Sequence, residues 1–488
     1  MFANSAPLPD NYGMTPDMST WTYMHASSAG PEGRLACGEP SFTPTEHNHT
    51  CGSLTIAEDL MAAFVTLSLS AGLAALLLHR AYTHRGRLRH VIASLGGSVA
   101  YIEPYTGKTY PLDKPRWSGD DKPGEQPIPL MLTALPGITR GQIDNTKRSL
   151  WRYAASFPMA CADPISLGEG CTPLVPRPFA GGRPHFKLEW NNPTCSFKDR
   201  GTTVMLSLLR QQGITHVLED SSGNGGASVS CYAAAGGLHA TIMAPDSTSP
   251  AKTVQMKAHG ATVELIPGSR QATSDAAVAA HGRDGGRLFY ASHAWHPFFL
   301  HGTKTLAYEL WEDLGFRAPD NVVIPSGGGS NILGCDLGFS ELQRAGEIQK
   351  LPRLFCAQPL LCSPLASGIL QALGETDGHA PPAEWNVPNK TMAEGTSISR
   401  PVRLQECIDA VVRSKGGAIR VTEAEIAQAT FDLAQCGLYT EPTCAQAAAA
   451  YRTLIARGVI KAEETTVIVL TSTGVKATPG IATLLETR

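Results

Sequence analysis

The chain has 488 residues, of which 42% are hydrophobic and 17% are charged, and its formal net charge is −3. This length predicts two or three structural units, and the composition is typical of a globular protein with a sizeable core. The nearly balanced charge excludes the basic field that nucleic-acid binding requires, so we expect a small-molecule partner and no nucleic acid. The twelve cysteines form no Cys-x-x-Cys pair, which argues against a zinc site and favours a reducing, cytoplasmic compartment.

The N-terminal part of the chain differs in texture from the rest. Residues 1–53 are rich in Pro, Ser, Thr and Gly without apolar periodicity, which predicts a disordered extension. Within the next unit, 54–98, residues 60–78 carry no charge and are followed by Arg80 and further arginines. That apolar stretch is long enough to span a bilayer, and its basic flank would leave the downstream chain in the cytoplasm. The alternatives are a buried or capping helix, or a stretch that is absent from the mature protein.

From about residue 100 onward, short apolar runs alternate with helical patterns and Gly-rich loops. This alternation predicts an α/β fold with a mostly parallel sheet flanked by helices. Ligands bind such sheets at the loops that follow the carboxyl ends of the strands. We predict strands at 216–220, 240–244, 261–266, 321–324 and 466–470, and helices at 226–236 and 253–260.

Two of the predicted strands run into Gly-rich loops. The loop 326–331, Ser-Gly-Gly-Gly-Ser-Asn, precedes a helical pattern, so its backbone N–H groups and the helix dipole suit a phosphate group. The loop 221–226, Ser-Ser-Gly-Asn-Gly-Gly, has a rival interpretation as a dinucleotide fingerprint, with Asp246 as the ribose-binding acid. The third glycine of that fingerprint is missing, because Ser228 occupies its position.

Four motifs in chain order resemble the fold-type II family of enzymes that depend on pyridoxal 5′-phosphate (PLP), and among them most closely the threonine synthases. They are Ser-Phe-Lys-Asp-Arg-Gly (196–201), Ser-Ser-Gly-Asn (221–224), Gly-Gly-Gly-Ser-Asn (327–331) and Leu-Thr-Ser-Thr-Gly (470–474). The resemblance covers roughly four fifths of the chain. It implies a large PLP-binding domain of residues 99–204 and 321–488, a small mobile domain of residues 205–320, and a homodimer.

The resemblance also implies a role for each motif. Lys198 would carry PLP as a Schiff base and, once released by the substrate, would move protons at Cα. We expect desolvation to lower its pKa. The cofactor would further be held by Asn224 at its ring oxygen, by Thr471 at its pyridine nitrogen, with Ser472 as a competitor, and at its phosphate by Gly327, Gly328, Gly329, Ser330 and Asn331. The substrate carboxylate would be bound by Ser221, Ser222 and Gly223.

Four positions bear on the substrate. Phe299 stands where the family usually has an Arg for the phosphate of O-phosphohomoserine, and Gly225 where it usually has a Thr. An aromatic ring cannot replace a bidentate phosphate clamp. Lys252 remains as a candidate phosphate contact. Cys195 replaces the usual Gly before the Lys198 motif, either as a small packed residue or as a functional thiol.

Three functional hypotheses follow. The first is a threonine-synthase-like lyase that converts O-phosphohomoserine to threonine and phosphate. The second is a related β-elimination or β-replacement enzyme, such as a threonine or serine ammonia-lyase. The third is a non-catalytic binding protein that keeps the PLP fold. The presence of Lys198 argues against the third.

Overall fold

The computed structural model describes residues 98–120, 126–248, 250–283, 285–380 and 391–486, and within these ranges the side chains of 250–252 are not described. The predicted disordered extension and the apolar stretch 60–78 lie outside the described residues. Within those five ranges, no helix has the length and apolar character needed to cross a bilayer.

The strands of the described residues form three sheets. β1, β2 and β3 make a small antiparallel sheet, and β8-β7-β6-β9 make a fully parallel one. The largest sheet has the order β12-β11-β10-β13-β5-β4 and is parallel except for the β4–β5 pair. The strands are β1 (Ala100–Ile102), β2 (Thr109–Pro111), β3 (Met131–Leu132), β4 (Leu174–Pro176), β5 (His185–Leu188), β6 (His216–Glu219), β7 (His239–Pro245), β8 (Thr262–Ile266), β9 (Leu288–Tyr290), β10 (Asn321–Pro325), β11 (Arg353–Pro359), β12 (Gly417–Val421) and β13 (Thr466–Leu470).

Helices follow most of the parallel strands and cover the sheets. They are α1 (Lys198–Gln211), α2 (Asn224–Gly236), α3 (Pro250–Ala258), α4 (Arg270–Ala280), α5 (Pro297–Thr303), α6 (Thr305–Asp313), α7 (Ser330–Arg344), α8 (Pro364–Leu373), α9 (Leu404–Arg413), α10 (Glu423–Gln435), α11 (Pro442–Ala456) and α12 (Thr478–Glu486). Short 3₁₀ segments occur at Arg140–Gln142, Leu150–Ser156, Glu189–Asn191, Glu394–Thr396 and Gly474–Ala477.

The predicted α/β class with mostly parallel sheets is confirmed. The strand predicted at 466–470 coincides with β13. The ends of the other predicted strands differ from the observed ends by at most one residue. The helix predicted at 253–260 begins earlier, at Pro250. Proline is tolerated there because the first turn of a helix needs no backbone N–H donor. The boundaries predicted for the two domains stay predictions.

The six-stranded sheet has an almost wholly apolar centre. Every residue of β10 and β13 is buried, as expected for parallel strands covered on both faces. The alanine-rich helix α11 packs across β10, β11, β12 and β13. Its small side chains allow a close approach to the sheet.

A buried charge network fixes the first turn of α1. The guanidinium of Arg200 donates to both carboxylate oxygens of Glu189, at 2.6 and 2.8 Å, and to those of Glu309, at 2.9 and 3.1 Å. Lys187 in β5 also binds Glu309: its Nζ donates to Glu309 Oε1 at 2.6 Å and to Asp313 Oδ2 at 2.8 Å. The network therefore ties α1 to the large sheet through Lys187 and Glu189, and to α6 through Glu309.

Replacing Arg200 with Met should strongly destabilise the fold. The variant leaves the carboxylates of Glu189 and Glu309 buried without the positive charge of Arg200. Removing one partner of a buried ion pair lowers the free energy of unfolding by about 3–5 kcal/mol. Urea denaturation measures this value. The matched control is Arg283→Met, whose half-exposed pair with Glu264 should change the stability by about 1 kcal/mol or less. Equal effects of the two substitutions would contradict the importance of the buried network.

Candidate active site

The loop before Lys198 is attached to the loop that follows β13. Phe197 N donates to the carbonyl oxygen of Thr471 at 3.0 Å, and Ser196 forms an antiparallel bridge with Ser472. Lys198 is the first residue of α1. Two motifs that are about 270 residues apart in the chain are therefore neighbours in the fold.

The amine of Lys198 lies in a low-polarity environment. Its Nζ is 4.8 Å from the centre of the Phe197 ring and 5.6 Å from that of Phe299. Among the described residues it has no hydrogen-bond or ion-pair partner. Burial lowers the pKa of Lys198 to about 8, against the opposing charge of Glu219. About a tenth of the amine is thus neutral at pH 7, against fewer than about one in a thousand at the ordinary lysine pKa. The neutral amine is the form that attacks an aldehyde.

The loop between β10 and α7 is suited to a phosphate group. Gly329 has a φ of +84°, which favours glycine, and a side chain placed on Gly328 would meet open space. Asn331 is buried, yet neither atom of its side-chain amide has a hydrogen-bond partner in the described part of the chain. Together with Gly327 and Ser330, this loop presents unused donors at the N-terminus of a 15-residue helix. The residues therefore fit the phosphate of PLP.

The loop between β6 and α2 contains Ser221, Ser222 and Gly223, all of which are at least partly exposed. It precedes the N-terminus of the 13-residue helix α2, where backbone N–H groups and the helix dipole attract a carboxylate. The next residue, Asn224, accepts a hydrogen bond from Lys476 Nζ at 2.8 Å and donates to Glu441 Oε1 at 3.4 Å. The orientation of Asn224 is thus set by a charged pair from the C-terminal part of the chain.

The sequence analysis did not single out that pair. Burial raises the pKa of Glu441 to about 7, with Lys476 acting in the opposite direction. Lys476 also donates to the carbonyl oxygen of Thr194, next to Cys195. The sequence offered two signals for this pair. Lys476 comes two residues after the motif 470–474, and Glu441 comes just before the proline that opens α11.

Thr471 and Ser472 differ in how far their hydroxyls are already used. Ser472 Oγ donates to the carbonyl oxygen of Cys195 at 3.1 Å. Thr471 Oγ1 has one sulfur contact, with Cys444 Sγ at 3.1 Å. The thiol is a weak partner, so the hydroxyl of Thr471 is the better placed of the two for a ring nitrogen.

The comparisons with known proteins agree with this arrangement. The pattern of the family described as "Pyridoxal-phosphate dependent enzyme" matches residues 165–472. The chain belongs to this family. PLP, predicted from the motifs, is therefore confirmed as the cofactor of the family.

Among the similar proteins of this family are two threonine synthases. That of Methanosarcina acetivorans is 31% identical over 330 residues, which cover 66% of this chain and 79% of the relative. That of Methanocaldococcus jannaschii is 30% identical over 347 residues, covering 70% and 83%. Of the solved structures, an L-serine ammonia-lyase from Rhizomucor miehei superposes with a TM-score of 0.55 at 19% identity, covering 66% of this chain and 99% of that one. This last likeness shows the fold.

One position that departs from the threonine-synthase pattern, Phe299, lies near Lys198. Phe299 on α5 is fully buried, and a methyl group on Gly201 of α1 would clash with its ring. The ring therefore packs directly on the first turn of α1 and offers no hydrogen-bond donor. Lys252 belongs to α3, but its side chain lies outside the described residues, so its contact with a phosphate stays a prediction.

Cys195 adopts a left-handed backbone conformation with a φ of +59°. This conformation costs a non-glycine residue roughly 1–2 kcal/mol. Replacing Cys195 with Gly should therefore raise the free energy of unfolding by about 1 kcal/mol, after the entropy cost of glycine is subtracted. Chemical denaturation measures the change. Cys436→Gly is the control, because Cys436 has a φ of −83°, and this variant should lose stability.

The rate at which PLP attaches to Lys198 should depend on pH with a midpoint near the lowered pKa of about 8. Attachment requires the neutral amine, so the rate should rise as the pH increases and level off above that value. PLP added to the cofactor-free protein can be followed by its visible absorption, with Lys198→Ala as the control that gives no covalent product. A midpoint near 10.5, the ordinary lysine value, would show that the amine is not desolvated.

Proposed function

We propose that this chain is a PLP-dependent carbon–oxygen lyase that removes an oxygen substituent from the side chain of an amino acid. The observation that carries the proposal is the pair of backbone contacts that joins the Lys198 segment to the Thr471 segment. The first candidate reaction is the conversion of O-phosphohomoserine to threonine and phosphate. It is supported by the relatives of about 30% identity that bear the name threonine synthase.

When bound, PLP supplies an electron sink conjugated with the amino group of the substrate. Gly327, Gly328, Gly329, Ser330 and Asn331 would hold its phosphate. Lys198 would then act on the substrate itself: as a neutral amine it takes the proton from Cα, and as an ammonium ion it returns a proton to carbon. The aromatic rings of Phe197 and Phe299 lie near Nζ, and such low-polarity neighbours favour the neutral amine, which is the form that acts as a base.

The hydroxyl of Thr471 would limit the reactions that the site supports. A hydroxyl places no charge next to the ring nitrogen. A carboxylate there would keep the nitrogen protonated and make the cofactor a stronger electron sink. A weaker sink favours elimination and replacement at Cβ or Cγ over transamination. This is the chemistry expected of a lyase.

The substrate would be oriented by its carboxylate. Ser221, Ser222 and Gly223 offer hydroxyl and backbone N–H donors at the N-terminus of α2. Lys476 and Glu441 fix Asn224 at the edge of this site. A carboxylate held in this way brings Cα into the reach of Lys198, and such positioning is a large part of catalysis.

A second candidate is β-elimination from an amino acid that carries no phosphate, such as serine or threonine. Phe299 and Gly225 favour it, because neither side chain can donate a hydrogen bond to a second phosphate. An Arg at position 299 would have supplied two such bonds. The cofactor chemistry is the same for both candidates, and the leaving group distinguishes them.

The assay offers the protein O-phosphohomoserine, O-acetylserine, serine and threonine, and measures the release of phosphate, acetate, ammonia and oxo acid. Product formation that requires Lys198 and PLP is the expected result. Visible absorption with no product from any of these substrates would reject the lyase. Failure of the wild type to take up PLP would instead favour the non-catalytic alternative.

A further inference from the structure

A histidine that no motif singled out stands beside the substrate loop. β9 pairs with β6 in parallel, so that Leu218 lies opposite Tyr290, and the residues that follow the two strands are neighbours. As a result His293 contacts Glu219: its backbone N and its Nδ1 both lie 3.0 Å from Glu219 oxygens. Glu219 is fully buried and His293 retains 16% of its side-chain exposure.

The hydrogen bonds of Glu219 fix which nitrogen of His293 carries a proton. Both carboxylate oxygens already accept backbone N–H bonds, one from Asp220 at 2.9 Å and one from His293 at 3.0 Å. Glu219 therefore acts as an acceptor, and Nδ1–H of His293 donates to it. Nε2 bonds to none of the described residues. Nε2 is therefore the ring nitrogen that is left to face a substrate.

His293 and Lys198 lie against the same aromatic ring. The His293 ring centre is 5.7 Å from that of Phe299, and Lys198 Nζ is 5.6 Å from it. The negative charge of Glu219, which holds His293, also acts on the pKa of Lys198. The imidazole and the amine are therefore both neighbours of Phe299.

Gly225 provides the room that His293 occupies. A methyl group on Gly225 would lie 3.0 Å from His293 Nδ1 and 2.8 Å from Ser221 Oγ, so a threonine there would force both to move. The two departures from the threonine-synthase pattern, at positions 225 and 299, therefore meet in space at this imidazole. Nearby, Asp220 is neutralised by Arg270 at 2.8 Å and accepts from Ser292 at 3.1 Å, which leaves Glu219 as the partner of His293.

We propose that His293, positioned by Glu219, donates the proton to the departing oxygen and thereby selects a hydroxyl leaving group. This inference rests on the proposed lyase function. As Lys198 takes the proton from Cα, the Cβ–O bond breaks and its electron pair stays with oxygen. For this step His293 carries a proton on both ring nitrogens. The proton on Nε2 moves to the departing oxygen, which leaves as water. Solvent then returns a proton to His293 and accepts the one that Lys198 took from Cα. The products are water and the unsaturated amino acid, which hydrolyses to an oxo acid and ammonia.

The leaving group decides how much this proton is needed. Hydroxide is a poor leaving group and requires an acid as the bond breaks, whereas acetate and phosphate depart as stable anions. The geometry around His293 therefore points to a β-hydroxy amino acid of the serine or threonine type as substrate. It also explains why a phosphate clamp at position 299 is dispensable.

The experiment compares serine or threonine with O-acetylserine in the PLP-loaded wild type and in His293→Asn. Loss of a general acid should lower kcat/KM for the hydroxy amino acid about 10²-fold or more, and that for O-acetylserine less than about tenfold. Added imidazole should restore part of the activity of His293→Ala. PLP content, visible absorption and melting temperature report whether each variant is folded and loaded.

His239→Asn, a substitution at an exposed histidine outside the site, is the matched control and should behave as wild type. An equal loss with both kinds of substrate, or no loss with either, would overturn the role of His293 while leaving the lyase intact. Activity confined to phosphate esters would also overturn it. A loaded wild type that forms no product from any substrate would reject the proposed function instead.

Discussion

The buried guanidinium of Arg200 is the contact on which the geometry of the site depends. It lies two residues after Lys198 in the same helical turn, and it forms hydrogen bonds to two carboxylates from different parts of the chain, Glu189 and Glu309. Burial of so many charges is costly, and a well-packed apolar cluster could match its stability. A cluster without directional bonds would not fix the rotation of α1. We infer that the network is retained because it holds the first turn of α1, and Lys198 with it, in one orientation.

The other parts of the site converge because they follow parallel strands. The Ser221 loop follows β6, the loop of Gly327 to Gly329 follows β10, and Thr471 follows β13. β10 and β13 belong to the six-stranded sheet and β6 to the four-stranded one. Within each sheet, parallel strands bring their carboxyl ends to the same edge, which is where α/β folds bind ligands. The hydrogen bond from Lys476 to Asn224 joins the loop after β6 to the segment after β13. Three segments separated by more than a hundred residues can therefore contribute to one cofactor site. Lys198 joins them through the bridge between Ser196 and Ser472.

The sequence predicted the parts of the site that depend on local pattern. β13 and the glycine loop after β10 could be recognised because strand periodicity and small-residue loops are properties of neighbouring residues. The contact between Glu219 and His293 could not, because it depends on β9 lying next to β6, and strand order is decided by the packing of the whole sheet. The same holds for Lys476 and Glu441 at Asn224. Each is an ordinary charged residue in the sequence, and its role arises from distant chain segments that meet.

The distribution of departures from the threonine-synthase pattern has a physical logic. The residues that would hold the cofactor come mainly from the large sheet and match the family motif one by one. The two differences that bear on the substrate, Gly225 and Phe299, are both neighbours of His293, and a third, Cys195, precedes the Lys198 motif. A lysine base and a loop that binds the cofactor phosphate are needed for every elimination reaction of this type. The leaving group, in contrast, contacts only the residues around the side chain of the substrate. An imidazole held by a buried carboxylate, next to an aromatic ring and a glycine, supplies a proton where an arginine would supply a fixed charge. In the proposed function, the step at Cα is the one common to the family, and the step at the leaving group is the one that differs.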